Sequence, residues 1–335
     1  MKNNKLIIYI FFCLLLFGSL YVNFMSYRSN QVQKTLMESL NSNNYDVNDI
    51  NKFGNFNPDF PNLSQTALPV KSMMARYYLL SGDYNTALDL LNESSNVNPY
   101  IMFTESEKAL VFENLESMDS FAFYAKKAFE GIPQNERHFV QYAKVLSFFK
   151  DSLELDRSYD RVKNSSMDFL HLAYLTSNFT IGRDYDSIKE KVNYIENKFQ
   201  NNKEIKLVVD YLKYGEQNVK KAIETSKKAN LVFSQSAHEQ AANLYIEASK
   251  LNPGDYTHFE NAGVSFMIQK KYEEAIPYFK HVIDSLNPNI GKSEYLIASC
   301  YENLGDIDSA CKYLSLAVDL NFKNAFDAQA KLCFK

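Results

Sequence analysis

The sequence predicts an all-α fold, a solenoid of helical hairpins that follows one N-terminal transmembrane helix. Three observations support this prediction. The chain has 335 residues but only 10 Gly and 8 Pro, which suits helices joined by short loops better than a protein built from many tight turns. An uncharged apolar run lies close to the N-terminus. Further along, small and aromatic residues recur at a fixed period.

The apolar run lies between Lys5 and Arg28, which enclose 22 uncharged residues. About 20 apolar residues in a helix cross the hydrocarbon core of a bilayer. We therefore predict a membrane anchor over residues 6–25, after a short tail over residues 1–5. A cleaved secretory signal is the alternative, but its apolar stretch is shorter, roughly 7–15 residues, and ends in small residues. The run of this chain ends in bulky residues, which favours a retained anchor.

The charges that flank the anchor indicate its orientation. Lys2, Lys5 and the amino terminus lie before the apolar run, and Arg28 and Lys34 lie after it, which is a small asymmetry of positive charge. Positive charges favour the cytoplasmic side, and the tail that precedes the anchor is very short. We therefore expect the rest of the chain to lie outside the cytoplasm.

Residues 26–66 are rich in Asn, Asp and Ser, as in the stretches 41–44 and 55–58. Such composition is typical of linkers and turns. We interpret this segment as a stalk between the anchor and the folded part of the chain.

Repeats begin at residue 67. Over residues 67–135, two copies of one pattern combine small residues, aromatic residues and a closing proline, and Pro99 and Pro133 are 34 residues apart. Residues 222–335 hold three further copies, of which two are centred on Gly263 and Ala298. Two helices pack closely where one side contributes Gly or Ala, so the pattern predicts antiparallel hairpins.

The remaining parts of the array are less regular or terminal. Over residues 136–221 the pattern is faint, and we expect divergent helical repeats that include amphipathic helices over Asp184–Asn197 and Glu204–Tyr214. Ala325–Cys333 is predicted to be a helix that caps the array.

The repeats resemble the tetratricopeptide repeat family, with five copies in frame. The resemblance implies hairpins that stack on one another and a partner-binding groove lined by the first helix of each hairpin. The positions that line this groove in the family correspond here to Arg76, Leu79, Leu80, Glu260, Val264, Met267, Ile268, Tyr295, Ser299, Glu302 and Asn303. The Lys and Asn pairing with which some members bind a terminal carboxylate is not matched at these positions.

A second resemblance rests on the stretches Ala67–Lys71, Asn98–Tyr100 and Tyr124–Gly131. Through them, residues 67–135 are similar to the repeat-bearing tail of bacterial O-antigen ligase-family proteins. It implies a role in cell-envelope polysaccharide assembly, with a multi-span envelope glycan enzyme as the protein partner. Together with the orientation of the anchor, this role leads us to expect a single-pass protein of a bacterial inner membrane whose repeats lie in the periplasm.

Composition and motifs argue against other classes of function. A net charge of −4 does not suit a phosphate backbone, so we expect no nucleic acid partner. The five histidines lack metal-binding spacing, and the chain has neither a phosphate-binding loop nor a nucleophile motif. We expect no catalytic residue, no metal and no cofactor. The alternative function is an extracytoplasmic module that binds glycan or peptidoglycan through aromatic side chains.

Three of the four cysteines, Cys300, Cys311 and Cys333, lie near the C-terminus. A disulfide between Cys311 and Cys333 is conceivable in an oxidising compartment. Buried free thiols that pack as small apolar groups are the favoured interpretation.

Overall fold

The computed structural model describes residues 2–53 and 57–334, and for residues 2–8 and 52 it describes the backbone alone. The chain divides into two compact units, Met1–Ile181 (unit 1) and Gly182–Lys335 (unit 2). The boundary between the units falls inside the segment 136–221, where the repeat pattern is faint. Almost all of the described secondary structure is helical, so the predicted all-α fold of helical hairpins is confirmed.

The helices of both units are short except for the first. Unit 1 contains α1 (Lys2–Ser42), α2 (Ile50–Phe53), α3 (Val70–Ser81), α4 (Tyr84–Ser94), α5 (Phe103–Asn114), α6 (Met118–Gly131), α7 (Glu136–Phe148), α8 (Ser152–Asp160) and α9 (Asp168–Ile181). Unit 2 contains α10 (Tyr185–Lys198), α11 (Lys203–Tyr214), α12 (Glu216–Ser234), α13 (His238–Leu251), α14 (Tyr256–Ile268), α15 (Tyr272–His281), α16 (Lys292–Asn303), α17 (Ile307–Asp319) and α18 (Lys323–Cys333). A π-helical turn, Val282–Leu286, follows α15.

Small residues bring the two helices of each hairpin together, as the sequence predicts. Ala75 of α3 and Ala87 of α4 are fully buried in one core with Leu91. In unit 2, a Cβ atom added to Gly263 of α14 would lie 2.7 Å from the ring of Phe279 in α15. Since real Cβ atoms do not approach a ring so closely, glycine is required at this contact.

In two of the described hairpins, the turn between the helices contains a Gly-Asp pair. Gly82 ends α3 with φ at 83°, a left-handed conformation that glycine adopts without strain. Asp83 then caps α4 by accepting a hydrogen bond from the backbone N–H of Thr86 at 3.1 Å. Asp306 caps α17 in the same way through the N–H of Ser309. The repeated Gly-Asp pair therefore marks the start of the second helix.

Helix α1 extends well beyond the predicted anchor. It runs unbroken over 41 residues, and its side chains from Tyr9 to Phe24 are exposed or half-buried. Within the part of the chain that the structure describes, Tyr9–Ser42 is the one helix long and apolar enough to cross a membrane.

The interpretation of residues 26–66 as a stalk requires correction. Leu36 of α1 and Phe53 of α2 are buried in one core with Met73 and Tyr77 of α3. Residues 29–53, which we call the N-terminal cap, cover a side of α3 that no earlier hairpin covers. The polar composition of this segment describes its outer surface, because its apolar residues lie on one face of the helix.

The less regular segment in the middle of the chain is also helical. It comprises α7 to α9 in unit 1 and α10 and α11 in unit 2. Helices α10 and α11 match the two predicted amphipathic helices to within one residue at each end.

The C-terminal helix α18 packs against α17 at the predicted capping position. This packing brings the Cα atoms of Cys311 and Cys333 to 5.7 Å, and the two residues form a disulfide. The favoured interpretation of these two cysteines as free thiols is therefore corrected. Cys300 is free and buried, as that interpretation holds, and burial raises the pKa of its thiol to about 12.

Candidate partner-binding groove

The predicted groove residues lie on the first helices of three hairpins. Arg76, Leu79 and Leu80 are on α3 in unit 1, and the others are on α14 and α16 in unit 2. Helices α14 and α16 are in contact with each other. The structure thus places the residues of unit 2 on adjacent helices.

Arg76 is held by a partner on the next hairpin. Its Nε and Nη2 atoms donate hydrogen bonds of 2.6 and 2.5 Å to the two carboxylate oxygens of Glu107 on α5. The side chain of Arg76 is 18% exposed and that of Glu107 is 3% exposed. A bidentate pair of this kind fixes both side chains. The main role of Arg76 is therefore to join two neighbouring hairpins.

Leu79 is buried in the core of the first hairpin, where it packs with Ala75, Leu91 and Val111. Its neighbour Leu80 is 52% exposed. Of these two adjacent leucines, Leu80 is the one whose side chain a partner of unit 1 can reach.

Helix α5 carries an unusual run of buried polar residues that sequence reasoning missed. All five residues from Thr104 to Lys108 are less than 9% exposed. Each reaches a different group on the surrounding helices. The contacts are Thr104 Oγ1 with Ser72 Oγ at 2.7 Å, Lys127 Nζ to Glu105 at 3.1 Å, Ser106 Oγ to Gln141 at 2.8 Å, Arg76 to Glu107, and Lys108 Nζ to Ser95 Oγ at 2.8 Å.

Glu260 forms the corresponding bridge in unit 2. Its carboxylate accepts a hydrogen bond from Ser293 Oγ at 2.9 Å and another from Lys292 Nζ, both on α16. Glu260 is only 2% exposed. The predicted groove residue is thus committed to a contact between hairpins, and Lys292 and Ser293 are partners that the sequence analysis did not single out.

A small apolar surface lies beside this bridge on α14. Val264 and Met267 are half-buried and pack against a core that includes Phe279 and Ile297. Ile268 is 46% exposed. We call Val264, Met267 and Ile268 the α14 patch. Val264 and Met267 are held in place by the core, whereas Ile268 is accessible to a partner.

Of the groove residues predicted on α16, some contact other side chains of unit 2 and others are exposed to solvent. Tyr295 packs on Phe322, with ring centroids 5.3 Å apart. Asn303 accepts a hydrogen bond from the hydroxyl of Tyr272 at 3.1 Å, and its amide donates to the carbonyl of Ser299 at 2.8 Å. Glu302 is exposed. Asn303 therefore joins α16 to α15 while its outer surface stays accessible.

Three of the five histidines are packing residues of the interior. His171 is fully buried between the hydroxyl of Tyr159 and the carbonyl of Ser165. His138 and His258 are also buried, and burial lowers the pKa of each imidazole, to about 4 in the case of His138. Among the residues that the structure describes, no group of three His, Cys, Asp or Glu could hold a metal ion.

The hairpins stack on their neighbours along the chain, and this arrangement defines a helical-repeat protein. The fold of this class serves as a scaffold for protein–protein interaction. Residues 294–324, which contain most of α16 and all of α17, match the family model described as tetratricopeptide repeat. The resemblance to the tetratricopeptide repeat family is thereby confirmed.

Solved structures give further comparisons. A tetratricopeptide repeat protein from Parabacteroides merdae matches with a TM-score of 0.38 and 11% identity, over 79% of this chain and 98% of that one. The TPR2AB domain of yeast Sti1, solved as a pHSP90 complex, matches with a TM-score of 0.31 and 15% identity, over 78% and 93%. The APC/C hetero-tetramer Cut9-Hcn1 matches with a TM-score of 0.33 and 14% identity, over 86% of this chain but about half, 51%, of that one. No curated protein sequence matches this chain.

Proposed function

We propose that this chain is a non-enzymatic, membrane-anchored scaffold that binds a protein partner on the first-helix surface of its hairpins. The observation that carries the proposal is the α14 patch. Ile268 stays 46% exposed on a helix whose neighbouring side chains are held by the core and by the bridge from Glu260 to α16. A preformed surface with an exposed apolar residue binds a partner without an ordering cost of its own.

The proposed location is a bacterial inner membrane with the repeats in the periplasm. Helix α1 supports the anchor, because it is long and apolar enough to cross a bilayer. The disulfide between Cys311 and Cys333 supports an oxidising compartment for the repeats.

The proposed partner is a multi-span enzyme of envelope polysaccharide assembly. This choice rests on the resemblance of residues 67–135 to the tail of O-antigen ligase-family proteins. In such an arrangement the enzyme supplies the chemistry, and this chain holds it or its protein partners in place.

The test is affinity capture of the full-length, detergent-solubilised protein from its native membrane, followed by mass spectrometry. Two variants are compared with the unchanged chain: Ile268→Asp, and Leu316→Asp as a matched control on the second helix α17, where Leu316 is 41% exposed. We expect one membrane enzyme to be lost with Ile268→Asp and retained with Leu316→Asp. Recovery of glycan without a protein partner would overturn the proposal in favour of a glycan-binding module.

A further inference from the structure

Helix α1 contains both the apolar span and part of the N-terminal cap, with no break between them. On the apolar side of the junction, Phe24 and Tyr27 are 56% and 64% exposed. Burial begins at Ser29, which is 1% exposed, and continues at Gln33 with 5% and Leu36 with 1%. The folded part of unit 1 therefore begins within one helical turn of the exposed aromatic residues.

The length of the apolar run places this junction relative to a bilayer. The 22 uncharged residues between Lys5 and Arg28 extend over roughly 33 Å as a helix, close to the hydrocarbon thickness of about 30 Å. Ser29 then lies only about 5 Å beyond the hydrocarbon edge, whereas the headgroup layer is itself roughly 5–7 Å thick. The distance leaves no room for a linker between the bilayer and the cap.

The junction also lacks the features that bend helices. Sharp kinks occur at Pro, at Gly/Ser pairs and at π-bulges, and from residue 19 to residue 42 the helix contains neither Gly nor Pro. The cap is fastened to α3 by the core around Leu36 and by the hydrogen bond from the Tyr77 hydroxyl to Ser39 Oγ at 2.7 Å. The direction of α1 in the bilayer therefore sets the direction of α3.

The exposed side of the junction has the chemistry of a headgroup contact. Arg28, Asn30, Gln31 and Lys34 are exposed there, and the guanidinium of Arg28 lies over the ring of Phe24, 5.9 Å from its centroid. Arg28 and the two amides suit lipid phosphates, whereas Lys34 lies further out and forms an ion pair with Glu38 at 3.8 Å. An aromatic residue followed by a basic one is typical of the edge of a membrane span.

We infer that the start of the N-terminal cap, residues 29–31, lies in the phospholipid headgroup layer, so that unit 1 is held against the membrane surface by a helix that continues from the bilayer into the cap without Gly or Pro at the junction. This inference rests on the membrane anchoring in the proposed function. Its consequence is that a partner of the first hairpins must itself lie at the membrane surface, as a membrane-embedded protein does.

The test measures depth in the full-length chain reconstituted in phosphatidylethanolamine and phosphatidylglycerol vesicles. On a Cys13→Ser background, a fluorophore is attached in turn at Asn30→Cys, Lys34→Cys and Glu38→Cys. These exposed positions lie on one face of α1, at steps of about 6 Å along the helix. Lipids with a nitroxide headgroup are the quencher.

We expect severalfold quenching at position 30, less at 34 and little at 38. Insertion of ten Gly and Ser residues after Arg28 is the matched control, and it should reduce quenching at position 30 to the level of position 38. An unquenched label at position 30 in a chain that floats with the vesicles would overturn the inference and leave the anchor intact. A chain that does not float with vesicles would overturn the anchor itself.

Discussion

The hydroxyl of Tyr77 on α3 donates a hydrogen bond of 2.7 Å to Oγ of Ser39 on α1, joining residues that are 38 positions apart. Tyr77 is fully buried, and its ring also meets the rings of Tyr45 and Phe53 edge to face, at 5.1 and 5.2 Å. One side chain thus connects three parts of the N-terminal cap to the first hairpin.

We expect Tyr77→Phe to lower the free energy of unfolding of unit 1 by about 1 kcal/mol, because Ser39 loses a buried hydrogen-bond donor. Tyr77→Ala should lower it by about 3–5 kcal/mol, since it also removes a buried ring. Chemical denaturation gives these values, and hydrogen exchange should show faster exchange in residues 29–40. Unchanged exchange there with Tyr77→Ala would contradict the role of the cap.

The bridge from Glu260 predicts a second effect on stability. Glu260→Ala should destabilise unit 2 by about 1–3 kcal/mol, because Ser293, which is 1% exposed, loses a buried partner. Glu302→Ala on the same surface is the control. Its side chain is exposed, so its effect should stay within about 0.5 kcal/mol. Equal effects of the two variants would show that the bridge does not hold α14 to α16.

The disulfide predicts a dependence on reductant. Cys311 and Cys333 are 22 residues apart, and closing a loop of this size stabilises the folded state by about 3 kcal/mol. Reductant should therefore lower the midpoint of denaturation of the unchanged chain. It should have no effect on the Cys311→Ser, Cys333→Ser double variant, which is the control. Alkylation of the denatured, unreduced chain should modify Cys13 and Cys300 alone, and labelling of all four cysteines would refute the disulfide.

His138 predicts a dependence on pH. Burial lowers the pKa of its imidazole from 6.5 to about 4, although the charge of Glu105 on α5 acts to raise it. Between these two values the unfolded chain binds a proton that the folded chain does not, so stability falls as the pH falls from 6.5 towards 4. The shift corresponds to about 3 kcal/mol for this residue.

The variant His138→Asn should flatten this pH dependence in denaturation curves recorded between pH 4 and 7. His258 contributes in the same direction, because burial lowers its pKa as well, so part of the slope should remain. His281 is exposed, and His281→Asn is the control for the effect of a His-to-Asn substitution outside the interior. An unaltered slope with His138→Asn would mean that this imidazole is not buried in its neutral form.

The repeats were predictable because their signal is local. Ala75, Gly263 and Ala298 are small because another helix lies against each of them, and that requirement recurs with every hairpin. The cap was missed for the opposite reason. The apolar stripe that includes Val32 and Leu36 has meaning only once the uncovered side of α3 is known, and nothing within residues 26–66 reveals that side.

The sequence predicts which positions line the groove, but it does not predict which side chains of neighbouring hairpins pair with them. The repeat pattern describes positions within one repeat, whereas Arg76 and Glu107 are 31 residues apart and Glu260 and Lys292 are 32 residues apart. Opposite charges about one period apart were the signal that could have identified both bridges. The disulfide depends on how α18 returns to α17, which the spacing of the cysteines alone does not determine.

The buried polar run of α5 limits where this helix can stand among the repeats. Repeat proteins grow and shrink when whole hairpins are duplicated or lost, and most hairpins tolerate this because apolar contacts are interchangeable. Helix α5 is different, since each residue from Thr104 to Lys108 requires its own counterpart on a neighbouring helix. A copy of α5 inserted elsewhere would bury charges without counterparts. A change in the order of the hairpins next to α5 would therefore leave buried polar groups unpaired, which destabilises the fold.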